Sequence, residues 1–275
     1  MKIFGIQSYA LLTLVMLFCC SSCSDDSTTV TDNQIDIPAL IVQSEILSAQ
    51  SLESISADTA VQNADFALIS YLTTDKAMNL HVTSPGLTAG AFAIAKYKDN
   101  VTSILLNDSA LTMTSPLVFP GYFFTEHLPG LKFSSPLDWT VNCKDASYTA
   151  SSVSADSLYR VSVGTKDSVS LTASITINWT KSYSEHTSAT PKVYISLIWY
   201  PSFSDSDYGT PLGGFFSGDT GIYMTSKDFL STLNIPDYGI LQVNVCRYFI
   251  DKSYHDNYTF AEINAVETGT CLYIK

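Results

Sequence analysis

The sequence is poor in basic residues, and this shortage excludes one broad class of function. Lysine and arginine together number 14 against 26 acidic residues, so the formal net charge is −12. No cluster of basic residues offsets this excess, and negatively charged phosphates would be repelled by it. The composition therefore argues against a nucleic-acid partner.

Motifs of common enzymes are also missing. The four histidines, at positions 81, 127, 186 and 255, are scattered, and none has the second histidine one helical turn away that a zinc protease helix needs. No Gly-x-Ser-x-Gly elbow, phosphate loop or dinucleotide fingerprint is present. A glycoside hydrolase needs two carboxylates facing one bond, and nothing in the sequence pairs any two. The sequence favours a protein without enzymatic activity. The alternative is a hydrolase whose catalytic residues are distant in sequence and are brought together only in the folded chain.

One apolar run, Ala10 to Phe18, stands out near the N-terminus, and it is too short to cross a bilayer as a helix. It follows Lys2, which is typical of a secretory signal. Small residues precede Cys23, and the chain turns acidic at Ser24-Asp25-Asp26. This pattern resembles the precursor of a bacterial lipoprotein, in which a peptidase cuts before a cysteine that becomes diacylated.

The resemblance implies that residues 1–22 are a lipoprotein signal peptide and that Cys23 carries the lipid, palmitate included, which holds the chain stably in the outer membrane. Cys19 and Cys20 fit less well because bulkier residues precede them. Some Gram-negative bacteria use acidic residues after the anchor to send lipoproteins to the cell surface. The resemblance therefore implies an extracellular orientation, with the periplasmic face as one alternative and an ordinary cleaved signal peptide as another.

The rest of the chain consists mainly of short runs rich in β-branched, aromatic and hydroxyl residues, which predicts an all-β fold. We expect a polar, flexible tether over residues 23–35, an N-terminal β domain over 36–138 and a C-terminal β-sandwich over 139–275. Prolines 116, 120, 129 and 136 motivate the boundary, because proline cannot donate to a ladder. Two tandem antiparallel sandwiches, immunoglobulin-like or jelly-roll-like, are predicted; one large jelly roll is the alternative.

Three local patterns give sharper expectations. Apolar residues spaced over 44–56 predict an amphipathic helix. Strict alternation from Ser168 to Trp179 predicts one long strand with a dry and a wet face. The segment Tyr254–Tyr258 predicts a hairpin loop between two strands.

The best ligand-binding candidate is the segment Tyr200–Phe216, YPSFSDSDYGTPLGGFF. Sugars bind where an apolar ring face stacks on an aromatic side chain and carboxylates take the hydroxyls. The segment offers both kinds of group in Tyr200, Phe203, Asp205, Asp207, Tyr208 and Phe215. Aromatic residues that merely hold a long loop on the sheet are the alternative interpretation.

The same segment resembles the start of a calcium-binding loop, because Asp205, Asp207 and Gly209 alternate. The third carboxylate ligand and the distal glutamate of such a loop are missing. The sequence therefore predicts no cofactor, with Ca²⁺ at this loop as a weak alternative, and no other metal site.

Three cysteines, Cys143, Cys246 and Cys271, remain after the signal region. An oxidising compartment permits one disulfide among them, with three possible pairings. Cys246 and Cys271 lie in the last two strong strands and are the expected pair. A nucleophilic cysteine is the alternative, although no histidine near any of them in sequence favours a thiolate.

Four triplets of Asp, a hydroxyl residue and an apolar residue begin at positions 58, 108, 156 and 167. They resemble the acceptor motif for O-glycosylation of exported proteins in some Gram-negative bacteria. The resemblance implies that Thr59, Ser109, Ser157 and Ser168 are candidate glycosylation sites.

Taken with the signal region, these features predict a surface lipoprotein that acts as a non-catalytic binding module, with an extracellular glycan or a surface protein as partner. A structural or adhesive, pilus-associated subunit is the alternative. Lipidated pilins of some Gram-negative bacteria resemble this chain in having an acylated precursor and two β-sandwiches. Many need cleavage after an N-terminal arginine, whereas here the arginines are Arg160 and Arg247.

Overall fold

The computed structural model describes residues 47–74, 87–96, 101–114, 122–128, 131, 137–152, 162–163, 168–181, 191–202 and 209–275. Contacts within the chain separate Met1–Gln34 from Ile35–Lys275, and every described residue belongs to the second unit. The signal peptide and Cys23 of the lipoprotein prediction, and its tether up to residue 35, therefore lie outside the described residues.

The described chain is built mainly of β-strands, which confirms the predicted all-β class. Two short helices precede the first strand, α1 at Ala49–Ser56 and α2 at Thr59–Gln62, and a 3-10 turn spans Leu230–Leu233. The strands are β1 Phe66–Thr74, β2 Leu87–Ala95, β3 Val101–Leu106, β4 Ser109–Ala110, β5 Thr112–Thr114, β6 Tyr122–His127, β7 Leu137–Cys143, β8 Ser147–Ser152, β9 Ser162–Val163, β10 Ser168–Val169, β11 Thr176–Asn178, β12 Lys192–Tyr200, β13 Thr210–Ser217, β14 Ile222–Met224, β15 Ile240–His255 and β16 Tyr258–Ile274.

The strands form one large sheet and two small ones. The large sheet has the order β13-β12-β15-β16-β1-β2-β6-β5, and β10 pairs with the far end of β16. Its pairs are antiparallel except β1–β16 and β10–β16, which are parallel. The small sheets have the orders β14-β11-β9 and β4-β3-β7-β8.

The hairpin of β15 and β16 forms the centre of the large sheet. Its two-residue turn at Asp256-Asn257 places His255 opposite Tyr258, and Asp256 adopts a φ of 51°. Aspartate tolerates the left-handed region because its side chain bonds to the local backbone. The turn confirms the hairpin predicted at 254–258 and fixes which residues face each other along both strands.

Strand pairing joins the two segments that the sequence analysis assigns to separate domains. β1 comes from the first segment and pairs along its length with β16, from Phe66 opposite Phe260 to Thr73 opposite Glu267. The expected boundary between residues 138 and 139 falls inside β7. The proline-rich segment that suggested the boundary is thus followed at once by a strand of a small sheet.

Each face of the large sheet is covered by a different layer. One face contributes side chains such as Phe66 and Leu68 to a core that also contains Trp139 of β7 and Ile177 of β11, so both small sheets pack on it. The opposite face contributes Ala67 and Ile69 to a second core beneath α1 and α2. The fold is therefore a β-sandwich with two helices on its outer face.

Helix α1 confirms the helix predicted within 44–56. Ser48 caps it by accepting a hydrogen bond from the Ser51 amide, and Leu52 and Ile55 turn toward the sheet. Burial of each such side chain stabilises the fold by about 1.5–3 kcal/mol. The helix thus depends on the sheet for much of its stability.

The single long strand predicted from Ser168 to Trp179 is wrong. The segment forms β10 and β11 with a turn between them, closed by a hydrogen bond from the Ala173 amide to the Ser170 carbonyl. The Ser170 hydroxyl also bonds locally to Thr172, and such contacts compete with ladder formation. Ile175, Ile177 and Trp179 still point inward. The alternation therefore correctly predicts which side chains face the core, but it does not predict how the strands pair.

Candidate functional site

The predicted ligand segment Tyr200–Phe216 begins at the end of β12 and continues into β13. Phe203, Asp205, Asp207 and Tyr208 lie outside the described residues, as do the aspartates of the proposed calcium loop. Only Tyr200 and Phe215 of the predicted ligand-binding set can therefore be placed.

Phe215 packs within the sandwich. Its ring centroid lies 4.6 Å from that of Tyr223 and 6.2 Å from that of Phe229, and the side chain joins the main core. This environment supports the alternative interpretation for Phe215, in which the aromatic residue holds β13 and β14 together.

Tyr200 lies half-buried at the edge of the fold, and burial raises the pKa of its hydroxyl. A Cβ atom at Gly209 would approach the Tyr200 ring to 2.5 Å, so only glycine fits where the chain returns. Gly239 has a φ of 97°, and a Cβ there would lie 2.4 Å from the Tyr200 carbonyl oxygen. Two glycines thus let neighbouring backbone close around Tyr200.

Two further tyrosines occur at the same ends of the strands. Tyr200 is opposite Ile240, and Ile240 is opposite Tyr273, so the two tyrosines lie two strands, or about 10 Å, apart on one face. Tyr238 packs edge-on against Trp199 at 5.9 Å, and its carbonyl accepts from the Trp199 indole. Tyr238 and Tyr273 are 56 % and 44 % exposed. We call Tyr200 and Tyr273 the tyrosine surface, whereas Tyr238 packs against Trp199, whose side chain points to the other face of β12.

The other end of the β15–β16 hairpin holds a polar cluster that the sequence analysis missed. Asp251 is directly opposite Glu262, and the Ser253 hydroxyl donates to Glu262 Oε1 at 2.6 Å. Glu262 is 2 % exposed, and burial raises its pKa to about 7, against an opposing effect of the Ser253 hydrogen bond. We call Asp251, Ser253 and Glu262 the hairpin cluster.

Aromatic side chains surround this cluster on the same face. Tyr148 of β8 lies with its ring centroid 5.6 Å from Tyr258, 5.9 Å from Phe260 and 6.2 Å from His255. Facing carboxylates are what a glycoside hydrolase needs, but a substrate must also reach them. Because Glu262 is almost fully buried, the cluster meets the first requirement and not the second.

Two other buried carboxylates serve the fold. Glu267 accepts from the Ser48 amide at 3.0 Å and from the Ser48 hydroxyl at 2.9 Å, at the start of α1. Asp219 accepts from Arg247 at 2.9 Å and from the Trp179 indole at 2.8 Å. Arg247 also donates to the Thr180 carbonyl, so this ion pair fastens the chain beside β11 and β14 to the large sheet.

The predicted Cys246–Cys271 disulfide is not formed, and Cys143, Cys246 and Cys271 are free thiols. The hairpin register places Cys271 opposite Gln242, four residues from Cys246, which corresponds to about 13 Å along a strand. A disulfide needs Cα atoms roughly 4.4–6.8 Å apart. Burial raises the pKa of Cys246 and of Cys271, the latter to about 11, which makes them weak nucleophiles.

The glycosylation candidates have different environments. Thr59 is exposed in α2, and Ser109 is exposed directly after the tight turn of Asn107 and Asp108, which have φ values of 48° and 64°. Ser168 is half-buried in β10, and Ser157 lies outside the described residues. Glycosylation stays a prediction, for which Thr59 and Ser109 are the accessible sites.

Within the described ranges, no group of three or more His, Cys, Asp or Glu side chains is arranged to hold a metal ion. In that same part of the chain, no helix is long and apolar enough to cross a bilayer. The sequence matches no protein-family model, and no curated protein matches it either.

Proposed function

We propose that this protein is a lipid-anchored outer-membrane lipoprotein whose β-sandwich binds a ligand outside the cell, with an extracellular glycan as the favoured class. Cys23 carries the anchor, and the acidic segment Ser24-Asp25-Asp26 directs the body to the extracellular side. The chain acts by binding and performs no chemistry on its ligand. A tether of the composition and length of residues 23–35 would span about 20 Å as a flexible coil.

The observation that carries the binding proposal is the tyrosine surface. Tyr200 and Tyr273 stand on one face at the ends of strands whose hydrogen bonds fix their spacing. Tyrosine side chains combine an apolar ring with a polar tip at a low cost in side-chain entropy, which suits the faces and hydroxyls of sugar rings. A rigid scaffold avoids the cost of ordering such groups on binding.

Charge narrows the class of glycan. The chain carries a net charge of −12, and Asp237 is an exposed neighbour of Tyr238. An acidic polysaccharide would approach against this charge, whereas a neutral one would not. We therefore propose a neutral glycan as the ligand.

Affinity electrophoresis in gels containing the neutral glycans starch or xyloglucan tests the proposal. Retardation by a neutral glycan is expected, and the double variant Tyr200→Ala/Tyr273→Ala should weaken it about ten-fold, because the stacking faces are removed. The matched control is Tyr254→Ala, whose side chain is 72 % exposed near the hairpin turn. Equal retardation of wild type and double variant would remove the tyrosine surface as the binding site.

The anchor is tested separately by metabolic labelling with palmitate and mass spectrometry of the N-terminal peptide. The label should be found on Cys23, and Cys23→Ser should release an unlabelled chain that is soluble without detergent. Surface exposure follows from the protease sensitivity of intact cells. An unacylated residue 23 in the wild type would contradict the proposed location and leave the binding proposal to stand on its own test.

A further inference from the structure

Strand β13 forms one edge of the large sheet. Within the ranges that the structure describes, β12 pairs with one side of β13, and no strand pairs with its other side. Five of its eight residues are exposed, namely Thr210, Pro211, Gly213, Gly214 and Phe216. An edge strand presents unpaired backbone N–H and C=O groups to the solvent, and these groups can pair with a strand of another chain.

The regular part of β13 extends from Gly213 to Ser217. Before it, the register with β12 shifts, which leaves Leu212 as the extra residue of a bulge, and Gly213 has a φ of 104°. A bulge interrupts regular pairing, and Pro211 has no N–H group to donate to a neighbouring strand. Another chain would therefore find a regular edge for pairing along the five residues from Gly213 to Ser217.

The charge distribution makes a second copy of this chain a suitable partner for the β13 edge. The chain has a net charge of −12, yet no residue from Thr210 to Ser217 is charged. Many edge strands are protected from pairing by charged side chains, especially lysine, and β13 lacks this protection. Two copies that pair along β13 place no like charges opposite each other, whereas contact through acidic surfaces is opposed by repulsion.

The exposed side of β13 is complementary to itself. Phe216 is 58 % exposed and packs edge-on against Tyr194 of β12, with 5.2 Å between the ring centroids. Gly214 lies two residues earlier on the same face, and a Cβ atom there would lie 2.4 Å from the Tyr194 hydroxyl oxygen, so the Tyr194 side chain extends over it. An antiparallel pair centred on Phe215 places Phe216 of each copy opposite Gly214 of the other. An aromatic side chain opposite a glycine compensates for the side chain that glycine lacks.

We propose that β13 pairs with β13 of a second copy in an antiparallel ladder that is symmetric about Phe215, so that the large sheet continues across two chains. The two-fold axis makes the contact isologous, and pairing through this single edge closes at two copies. The two Phe216 side chains become diagonal neighbours, with Cβ atoms roughly 7 Å apart, which is within reach of aromatic rings. Each ring then packs beside the Tyr194 ring of the other copy, and the new ladder hydrogen bonds satisfy the edge.

Sedimentation equilibrium on the full-length chain, in an excess of density-matched detergent, tests the dimer. The wild type should pass from monomer to dimer as its concentration rises. Phe216→Lys and Phe216→Glu each place two like charges beside each other, and each should weaken dimerisation about ten-fold. An equimolar mixture of the two variants should dimerise again, because the charges at position 216 are then opposite. Hydrogen exchange gives a second readout, since protection of residues 213–217 in the wild type should rise with protein concentration.

The matched control is Met113→Lys, which adds a lysine to β5 at the opposite end of the large sheet, where the Met113 side chain is 52 % exposed. This variant should dimerise as the wild type does. Far-UV circular dichroism checks that each variant keeps its fold, which is expected because Phe216 is exposed. A wild type that stays monomeric up to millimolar concentration would overturn the proposal. A dimer that Phe216→Lys leaves intact, a mixture of Phe216→Lys and Phe216→Glu that fails to associate, or assemblies larger than two copies would overturn it as well.

Discussion

Two regions of β16 bury a glutamate in different ways. Glu267 lies under the start of α1, where the amide and hydroxyl of Ser48 donate to its carboxylate. Glu262 lies five residues earlier on the opposite face, where Asp251 faces it and a single serine hydroxyl donates. A helix N-terminus favours a negative charge, and a second carboxylate opposes one. Similar burial is therefore accompanied by two hydrogen bonds from Ser48 in one region and, in the other, by a pKa of Glu262 that burial raises to about 7.

Asp219 is a third buried carboxylate, and its partner is the guanidinium of Arg247. Replacing Arg247 by Met should lower the free energy of unfolding by about 3–5 kcal/mol, since it leaves a buried carboxylate without its ion-pair partner. Urea denaturation measures this loss. The double variant Arg247→Met/Asp219→Asn should recover part of it. A loss below about 1 kcal/mol for the single variant would show that Asp219 reaches water in the folded chain.

Neutralising the glutamate under α1 should also destabilise the fold. Glu267→Gln keeps the size of the side chain but weakens charge-assisted hydrogen bonds from Ser48, at a cost of about 1.5–3 kcal/mol near pH 7. The loss should appear in urea unfolding and as reduced helical protection of residues 49–56. Unchanged stability would contradict a stabilising role for the hydrogen bonds between Ser48 and the Glu267 carboxylate.

Glu262→Gln in the hairpin cluster should, in contrast, raise the free energy of unfolding relative to wild type at alkaline pH. Because the pKa of Glu262 is raised from 4.5 to about 7, the folded chain keeps a proton that the unfolded chain has already released over this interval. The stabilising contribution of Glu262 is therefore complete below pH 4.5 and is lost as the pH rises through 7. Relative to wild type, Glu262→Gln should gain about 1–2 kcal/mol between pH 5 and pH 8. A difference that does not change with pH would contradict this.

The smallest effects should come from the two serines that donate to these glutamates. Ser48→Ala removes the cap of α1 and a donor to Glu267, and should cost about 1 kcal/mol at any pH from 5 to 8. Ser253→Ala removes the donor to Glu262, so it should raise the pKa of Glu262 further and move the pH dependence of stability to higher pH. Unfolding curves at several pH values separate the two. A shift to lower pH in Ser253→Ala would contradict the role given to its hydroxyl.

The sequence contains enough information to find some of these features. The all-β class, helix α1 and the hairpin turn follow from local patterns. A two-residue turn at Asp256-Asn257 also fixes the register, so it places Glu262 opposite Asp251 and Cys271 opposite Gln242. Counting back along both strands from this turn would have found the carboxylate pair and excluded the Cys246–Cys271 disulfide.

Other features depend on contacts between distant parts of the chain. Ser48 and Glu267 are 219 residues apart, and the parallel pairing of β1 with β16 leaves no periodic signal in either strand. The boundary predicted at residue 138 gives no indication of this pairing, because it is based on prolines, which mark breaks in a ladder and not the limits of a sheet. Phe215 illustrates the same limitation. The sequence pattern of an aromatic residue beside glycines is the same whether the ring packs inward or faces a ligand.

The parallel pairing of β1 with β16 has a consequence for how the chain matures. β1 acquires β16 as a neighbour only when β16 has been made, so the preceding part of the chain is synthesised with one edge of β1 open. Such long-range closure makes folding slow. The emerging chain would then need protection by a holding chaperone until β16 has been synthesised.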